Sequence, residues 1–352
     1  MSSIWLATRE DVKRALDTKE TARANAAIDR ALDSSTDSIT ALCNRTFYPE
    51  RRSMTWDWPN QQTARSWRLW LDANELISIE SVSSGGVDIP VENVLLRPDD
   101  GPPFTRIELD LGTNSSFGVL LSPQRSITIV GLYGHRNTEA PAGTLAANVT
   151  AGAATVTVTD ASLIGVGQLL RIDAERLIVT GRRSVTTGQT QQGDLTAHMN
   201  NTLLPVSDGT AFAIDEVITL DGERMLIVDI TGNNLVVIRA WDGTVLAAHT
   251  GATIYASRQL TVSRGVLGTT AAAHTGGASI VKWQSPGNVR TLAVAEALNT
   301  GQAELSAYAR TQSALGEGTS GFGTRSMSQT ALMTLRSQVQ DAYGRHTRMR
   351  AV

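Results

Sequence analysis

Two pairs of carboxylates are the residues of this chain whose types and spacing could support acid–base chemistry. The pairs are Asp173/Glu175 and Asp221/Glu223. General acid–base catalysis needs two carboxyl groups that converge from separate elements onto a cleft. Here each pair lies at the turn of a strand–turn–strand sequence and is followed directly by Arg176 or Arg224. The spacing therefore favours a local ion pair or a solvated turn over acid–base chemistry.

Three histidines, His198, His249 and His274, each follow an alanine in related sequence contexts and could suggest a metal site. Residues that are equivalent in a repeat are normally separated in space by the repeat, and no H-x-x-x-H spacing is present. Histidines in glycine-containing loops are more often turn residues, so we expect no metal. One catalytic alternative stays open, a hydrolase whose site combines His198 or His249 with carboxylates.

No established catalytic motif occurs in the chain. The sequence lacks the nucleophile elbow, the P-loop, the H-E-x-x-H motif, paired C-x-x-C motifs and the dinucleotide-binding fingerprint. The glycine runs at Gly276–Gly277 and Gly316–Gly323 are not followed by Lys-Ser/Thr, which a phosphate loop requires. We therefore expect neither an enzyme nor a cofactor.

The composition limits the classes of protein further. The chain has 352 residues, a net charge of −3 and a pI near 6.0, which argues against nucleic-acid binding over its whole surface. Cys43 is the only cysteine, so an intrachain disulfide is impossible, and its position on an apolar helix face predicts burial. The amino terminus has no apolar export signal, and no apolar run of about 18 residues occurs, so we expect neither Sec export nor a membrane span.

The middle of the chain, residues 139–284, is rich in Thr, Val and Gly and contains an internal repeat. The sequence LLRIDAERLIVTG at Leu169–Gly181 returns as VITLDGERMLIVDITG at Val217–Gly232, 48 positions later. The sequence WDGTVLAAHTGA at Trp241–Ala252 returns as VLGTTAAAHTGGA at Val266–Ala278, 25 positions later. Each copy predicts two strands joined by a tight turn, so we expect one or two sandwich- or barrel-like β-modules.

The segments on either side of this region must position it. In the first, apolar residues recur every three or four positions from Ala22 to Cys43, which predicts one amphipathic helix. Pro49 predicts a change from helix to strand near Asn44–Arg52, and Thr8 with Asp11 resembles a capping box. Strand-like sequences follow, with a hairpin turn near Ser83–Gly86. Four tryptophans in this region are expected to lie in a core or a subunit interface.

The complete predicted fold is α+β. We expect an adaptor-like helical core with a small β-sheet in residues 1–138 and a mainly-β insertion in residues 139–284. Helices and a tail in residues 285–352 should complete the core, with Gly316–Gly323 as a linker. The tail carries arginines that could contact DNA or an acidic partner. These arginines are Arg345, Arg348 and Arg350.

The two outer segments resemble the head-to-tail adaptor, or head-completion connector, proteins of long-tailed bacteriophages. The resemblance rests on AIDRALDSSTDSITALCNRTFYP at Ala27–Pro49, the strand around Trp56 and Trp58, SITIVGLYG at Ser126–Gly134, and EALNTGQAELSAYART at Glu296–Thr311. It covers about 200 residues, and the Thr/Val/Gly-rich middle departs from the minimal adaptor.

The resemblance implies a virion neck protein in a twelvefold homo-oligomeric ring, made in the host cytoplasm. Its partners would be the portal protein, the next neck or tail-completion protein, and genomic DNA that passes through the ring without sequence-specific binding. The small-residue stripe of the long helix and the tryptophans are our candidates for the subunit interface, and the tail arginines are our candidates for portal or DNA contact. The interface candidates are Ile28, Leu32, Ile39, Trp56 and Trp58. The alternative is a β-repeat protein that binds carbohydrate or a cell surface.

Overall fold

A computed structural model describes residues 4–15, 22–59, 65–119, 121–312 and 329–345. The chain packs into two compact units. The first unit contains Met1–Ile39, Glu139–Val266 and Thr270–Tyr343, and the second contains Thr40–Thr138, Leu267–Thr269 and Gly344–Val352. This division differs from the predicted domains, since most of the long N-terminal helix packs with the β insertion and the C-terminal helices.

The described residues form four α-helices and seventeen strands. The helices are α1 (Arg9–Ala15), α2 (Ala22–Cys43), α3 (Gly287–Gln312) and α4 (Gln329–Tyr343). The strands before residue 138 are β1 (Glu50–Trp56), β2 (Arg68–Trp70), β3 (Leu76–Ser84), β4 (Val87–Ile89), β5 (Val94–Arg97), β6 (Arg106–Leu109) and β7 (Ile127–Tyr133). The others are β8 (Glu139–Thr144), β9 (Thr155–Thr157), β10 (Leu169–Ile172), β11 (Glu175–Thr190), β12 (Leu203–Pro205), β13 (Val217–Leu220), β14 (Glu223–Thr231), β15 (Asn234–Ile238), β16 (Thr253–Ser263) and β17 (Ser279–Trp283).

The predicted fold class, a helical core with a small sheet, is wrong. The described chain is mostly β, with its strands in three sheets of four, ten and three strands. The prediction gave too much weight to the amphipathic pattern of α2. That pattern does form a helix, which ends at Cys43 as expected, but the period-two alternation between residues 50 and 133 governs the rest of the N-terminal segment.

The second unit contains two antiparallel sheets, in the strand orders β1-β7-β3-β4 and β2-β6-β5. Their apolar faces contribute to one core, which includes Leu71, Leu76, Ile107 and Ile129, all fully buried. The hairpin near Ser83–Gly86 is confirmed as the turn between β3 and β4.

The ten-stranded sheet contains two modules, one nested inside the other. The strand order is β12-β15-β14-β13-β16-β11-β10-β17-β8, with β9 paired to β16. We call residues 139–183 with 259–284 the outer module and residues 184–258 the inserted module. Each module has its own apolar cluster, and the long strands β11 and β16 run through both.

Strand pairing shows that the modules are copies of one another. Val179 pairs with Val262 in the outer module, and Ile227 pairs with Val237 in the inserted module. Ile227 lies 48 positions after Val179, and Val237 lies 25 positions before Val262, which are the two spacings of the sequence repeat. The pairing of β9 with β16 is reproduced by β12 with β15. The inserted module therefore occupies the position that a hairpin turn would have between strands β11 and β16 of the outer module.

Candidate functional site

The site with the richest chemistry in the described chain is a buried ionic network that occurs once in each module. In the inserted module it begins at the turn between β13 and β14. Asp221 has φ = +46° and Gly222 has φ = +98°, which reverses the chain within two residues. The Asp221 side chain is 62% exposed, whereas the next carboxylate, Glu223, is completely buried.

Five hydrogen bonds surround the Glu223 carboxylate. Arg239 donates from Nε at 2.7 Å and from Nη2 at 2.9 Å. The backbone N–H groups of Ala240 and Ala247 donate at 2.9 and 3.0 Å. Nε2 of His249 lies 2.9 Å from Oε2. A carboxylate accepts about four such bonds, so Glu223 has no free position for a substrate or a metal.

Arg239 is as completely satisfied as its partner. Besides Glu223, its guanidinium donates to the carbonyl oxygens of Thr196 and Asn201, each at 3.1 Å, and of Ala247 at 2.6 Å. All five N–H donors of the guanidinium are therefore used, and the side chain is fully buried. The arginine connects β15 to two loops that are distant from it in sequence.

His249 closes the network. Its Nδ1 lies 2.9 Å from Oδ2 of Asp221, and its Nε2 lies 2.9 Å from Glu223. Both ring nitrogens therefore face carboxylates. The ring thereby ties the loop before β16 to the turn between β13 and β14.

The outer module repeats the arrangement bond for bond. Glu175 accepts from Nε and Nη2 of Arg264 at 2.5 and 2.6 Å, and from the N–H groups of Gly265 and Ala272 at 3.0 Å each. His274 lies 2.8 Å from both Asp173 and Glu175. Arg264 also donates to the carbonyl oxygens of three loop residues. These residues are Thr150, Ala153 and Ala272.

The networks keep their central carboxylates ionised despite burial. Burial alone would raise the pKa of Glu175 and Glu223. The hydrogen bonds from arginine, histidine and backbone N–H groups outweigh burial and lower the pKa of each to about 2. A carboxylate that is ionised and saturated in this way is a poor general base, because it has neither proton affinity nor access.

The sequence prediction for these residues was partly right. Asp221 is exposed at a turn, as expected, but the expected local pairing of each glutamate with the next arginine is wrong. Arg224 pairs with Asp242 at 3.0 Å, and Glu223 pairs with Arg239 instead. The two buried arginines were missed. Arg239 and Arg264 have the same separation in the sequence as His249 and His274. This shared spacing was the sequence signal that could have identified them.

The remaining histidine does not join either network. His198 is exposed, and its Nδ1 accepts a hydrogen bond from the backbone N–H of Asn200 at 3.2 Å. Within the described residues, no group of three or more His, Cys, Asp or Glu side chains is arranged to hold a metal ion. Cys43 is buried, as predicted.

The predicted interface residues fall into two groups. Ile28, Leu32 and Ile39 are buried within the chain itself, which leaves their side chains little surface for a neighbouring subunit. Trp56 and Trp58 are half-buried against the core of the second unit. Trp56 stacks on Tyr133, and Nε1 of Trp58 donates to the Phe117 carbonyl at 2.8 Å.

The predicted tail contacts are mostly outside the described part of the chain. The backbone N–H of Arg345 donates to the Cys43 carbonyl at 2.9 Å, at the end of α2. Arg348 and Arg350 lie outside the described residues. Their assignment to portal or DNA contact stays a prediction.

Comparison with known proteins adds no family assignment. No family model, curated protein or solved structure matches the chain. Of the helices that the structure describes, none combines the length and apolar character needed to cross a membrane.

Proposed function

We propose that this chain is a structural assembly protein without catalytic activity, and that it forms a ring in the neck of a phage virion between the portal and the tail. Two observations support the proposal. The sequence phrases at Ala27–Pro49 and Ser126–Gly134 resemble head-to-tail adaptors, and the inserted module presents an apolar sheet face to solvent. The apolar face is the observation that carries the proposal.

The apolar face lies on the outward side of β12, β14 and β15. Leu203, Val228 and Ile238 are 50%, 40% and 42% exposed. Their inward-facing neighbours are fully buried in the core of the inserted module. These neighbours are Leu204, Ile227 and Val237. Strand alternation therefore gives both faces of this part of the sheet apolar residues. On the outward face Leu226, opposite Ile238, is buried, whereas Leu203, Val228 and Ile238 remain exposed.

The outer module shows that the fold of a module does not require apolar residues on the outward sheet face. Its equivalent outward positions carry Thr155, Thr180 and Ser263. Because the two modules share strand pairing and ionic network, the polar residues are compatible with the same fold. The apolar residues of the inserted module thus favour a contact outside the module. We assign a neighbouring copy of this chain to that contact.

A ring is the assembly that fits this assignment. The apolar face occurs in the inserted module and is absent from the outer module, so the two modules together give a subunit one such face. A head-to-tail contact between this face and a different surface of the next subunit closes into a ring when its rotation divides the circle. The saturated ionic networks are consistent with a module that supports an assembly rather than one that catalyses a reaction.

The test is to give the inserted module the residues of the outer module. In the triple variant Leu203→Thr, Val228→Thr, Ile238→Ser, we expect the ring to dissociate to smaller species, measured by mass photometry at fixed concentration. The control is Val245→Thr, which changes a side chain that is 82% exposed outside this face. The control should assemble like the wild type.

Two results would oppose the proposal. A triple variant that assembles like the control would show that the apolar face is not the subunit contact. A wild-type chain that is monomeric and indifferent to portal, but binds a glycan or cell wall, would favour the carbohydrate-binding alternative.

A further inference from the structure

A second surface carries an unusual arrangement of arginines, on the outward face of the three-stranded sheet β2-β6-β5. Arg68 is paired with Glu108 across the strands, and Arg106 is paired with both Trp70 and Arg97. Residues directly opposite each other in antiparallel strands project to the same side. The alternate residues Leu69 and Ile107 are buried in the core. Leu95 lies opposite Glu108 on the same side and is 38% exposed. The outward face is thus a grid of three arginines, one glutamate, one tryptophan and one leucine.

One buried carboxylate organises the three arginines. The Glu108 side chain is only 8% exposed. Its oxygens lie 2.7 Å from Nε of Arg68, 3.0 Å from Nε of Arg106 and 3.4 Å from Nε of Arg97. Burial raises the pKa of Glu108, but the arginines more than compensate and lower it. A single negative charge therefore holds three positive charges together.

The positive charge is only partly neutralised. Arg97 also pairs with Asp99 through Nη1. Arg68 and Arg106 contact Glu108 through Nε, and among the described residues their terminal nitrogens have no hydrogen-bond acceptor. Each of these guanidiniums, 19% and 28% exposed, therefore retains unused donors. Such a planar fork matches two oxygens of a phosphate or a carboxylate.

Aromatic rings hold the guanidiniums in place. The guanidinium carbon of Arg68 lies 5.0 Å from the centre of the Trp67 ring, and that of Arg106 lies 5.0 Å from the Trp70 ring. Arg65 also contacts Trp67, at 5.9 Å. Cation–π contact and the shared glutamate restrict the motion of these arginines before a ligand arrives, which lowers the entropic cost of binding.

We propose that this surface, which we call the arginine face (Arg68, Arg97 and Arg106), binds phosphate groups of a nucleic-acid backbone. Arginine forks recognise phosphates bidentately, and Arg106 already contacts the Trp70 ring. We assign phosphate contact as the mode of binding, and such binding is independent of sequence. The inference concerns the second unit and does not rest on ring formation.

Salt dependence gives the quantitative expectation. Each neutralised phosphate contributes a slope of about −0.9 to the plot of log affinity against log salt concentration. The two arginines with unused donors, Arg68 and Arg106, predict a slope of about −2 on duplex DNA, with weak affinity typical of non-specific binding, in the range of about 10⁻⁴–10⁻⁶ M. Loss of each phosphate contact reduces the slope by about 1.

The experiment uses the full chain and a fluorescein-labelled duplex of about 24 base pairs, with anisotropy measured between about 50 and 200 mM salt. Arg106→Gln should reduce the slope by about one, and Arg68→Gln/Arg106→Gln should reduce it by about two. The matched control is Arg51→Gln, which removes an exposed arginine paired with Glu80 on another sheet. The control should keep the wild-type slope.

Three results would overturn the proposal. These are an absence of duplex binding at about 50 mM salt, a slope that the arginine-face variants share with the control, and preferential binding of a poly-glutamate peptide over DNA. If the double variant fails to fold by circular dichroism, Arg106→Gln alone replaces it. This single change leaves Glu108 with two arginines and should still lower the slope by about one.

Discussion

The Arg239–Glu223 pair makes the sharpest prediction for stability. In Arg239→Met, Glu223 keeps its charge in a fully buried position but loses two of its five hydrogen bonds. The carbonyl oxygens of Thr196, Asn201 and Ala247 lose their donor as well. Removing one member of a buried ion pair costs about 3–5 kcal/mol, so the inserted module should be destabilised by at least that range.

Hydrogen exchange measured by mass spectrometry reports this cost module by module. A loss of about 3–5 kcal/mol increases the opening constant of amides in β13–β15 by roughly two to three and a half orders of magnitude. The equivalent change in the outer module, Arg264→Met, should give the same acceleration in β10 and β17. Because the networks are separate, each substitution should affect its own module more than the other.

The control substitution is Arg224→Met, which removes an exposed arginine from the same hairpin. Its pair with Asp242 is solvent-accessible on the arginine side, so we expect a cost of about 0–1 kcal/mol. If Arg239→Met and Arg224→Met accelerate exchange equally, the buried network does not stabilise the module and the reasoning above is refuted.

Two further predictions concern pH and topology. The folded-state pKa of Glu175 and of Glu223 is about 2, against an ordinary value of 4.5. The stability that these carboxylates contribute is therefore complete above pH 4.5 and is lost as the pH falls towards 2. Acid titration followed by circular dichroism should show this loss, and a thermal midpoint that does not change across this window would contradict it. Replacing residues 184–258 by Gly-Asn should leave the outer module folded. The reason is that Arg183 pairs with Gln259 in the same way as Thr231 pairs with Asn234, and the latter pair is joined by the two-residue turn Gly232–Asn233. A cooperative thermal transition is expected, and its absence would argue against independent modules.

The sequence predicted local structure well wherever one short-range pattern decided it. The end of α2 at Cys43, the capping box of Thr8 with Asp11 and the turn after Ser84 all depend on residues a few positions apart. The prediction of the overall fold class depended instead on the relative weight given to the helical and the strand-like patterns. The period-two alternation of residues 50–133 mattered more than the amphipathic helix that precedes it.

The nested modules and their networks depend on long-range pairing. The two parts of the repeat occur in opposite order. In the first part, the outer copy (Leu169–Gly181) comes before the inserted copy (Val217–Gly232). In the second part, the inserted copy (Trp241–Ala252) comes before the outer copy (Val266–Ala278). That reversal is the sequence signature of nesting. Glu175 and Arg264 are 89 positions apart, so no local pattern pairs them. The repeat does, because Glu223 follows Glu175 by the first repeat spacing and Arg239 precedes Arg264 by the second.

The most direct test of the central claim, that this chain is an assembly protein of a phage neck, is the mass and symmetry of the purified protein alone and with a portal ring. Mass photometry combined with class averages from electron microscopy provides both. The account predicts a closed ring that stacks coaxially on the portal. A monomer that ignores the portal at all concentrations would contradict it.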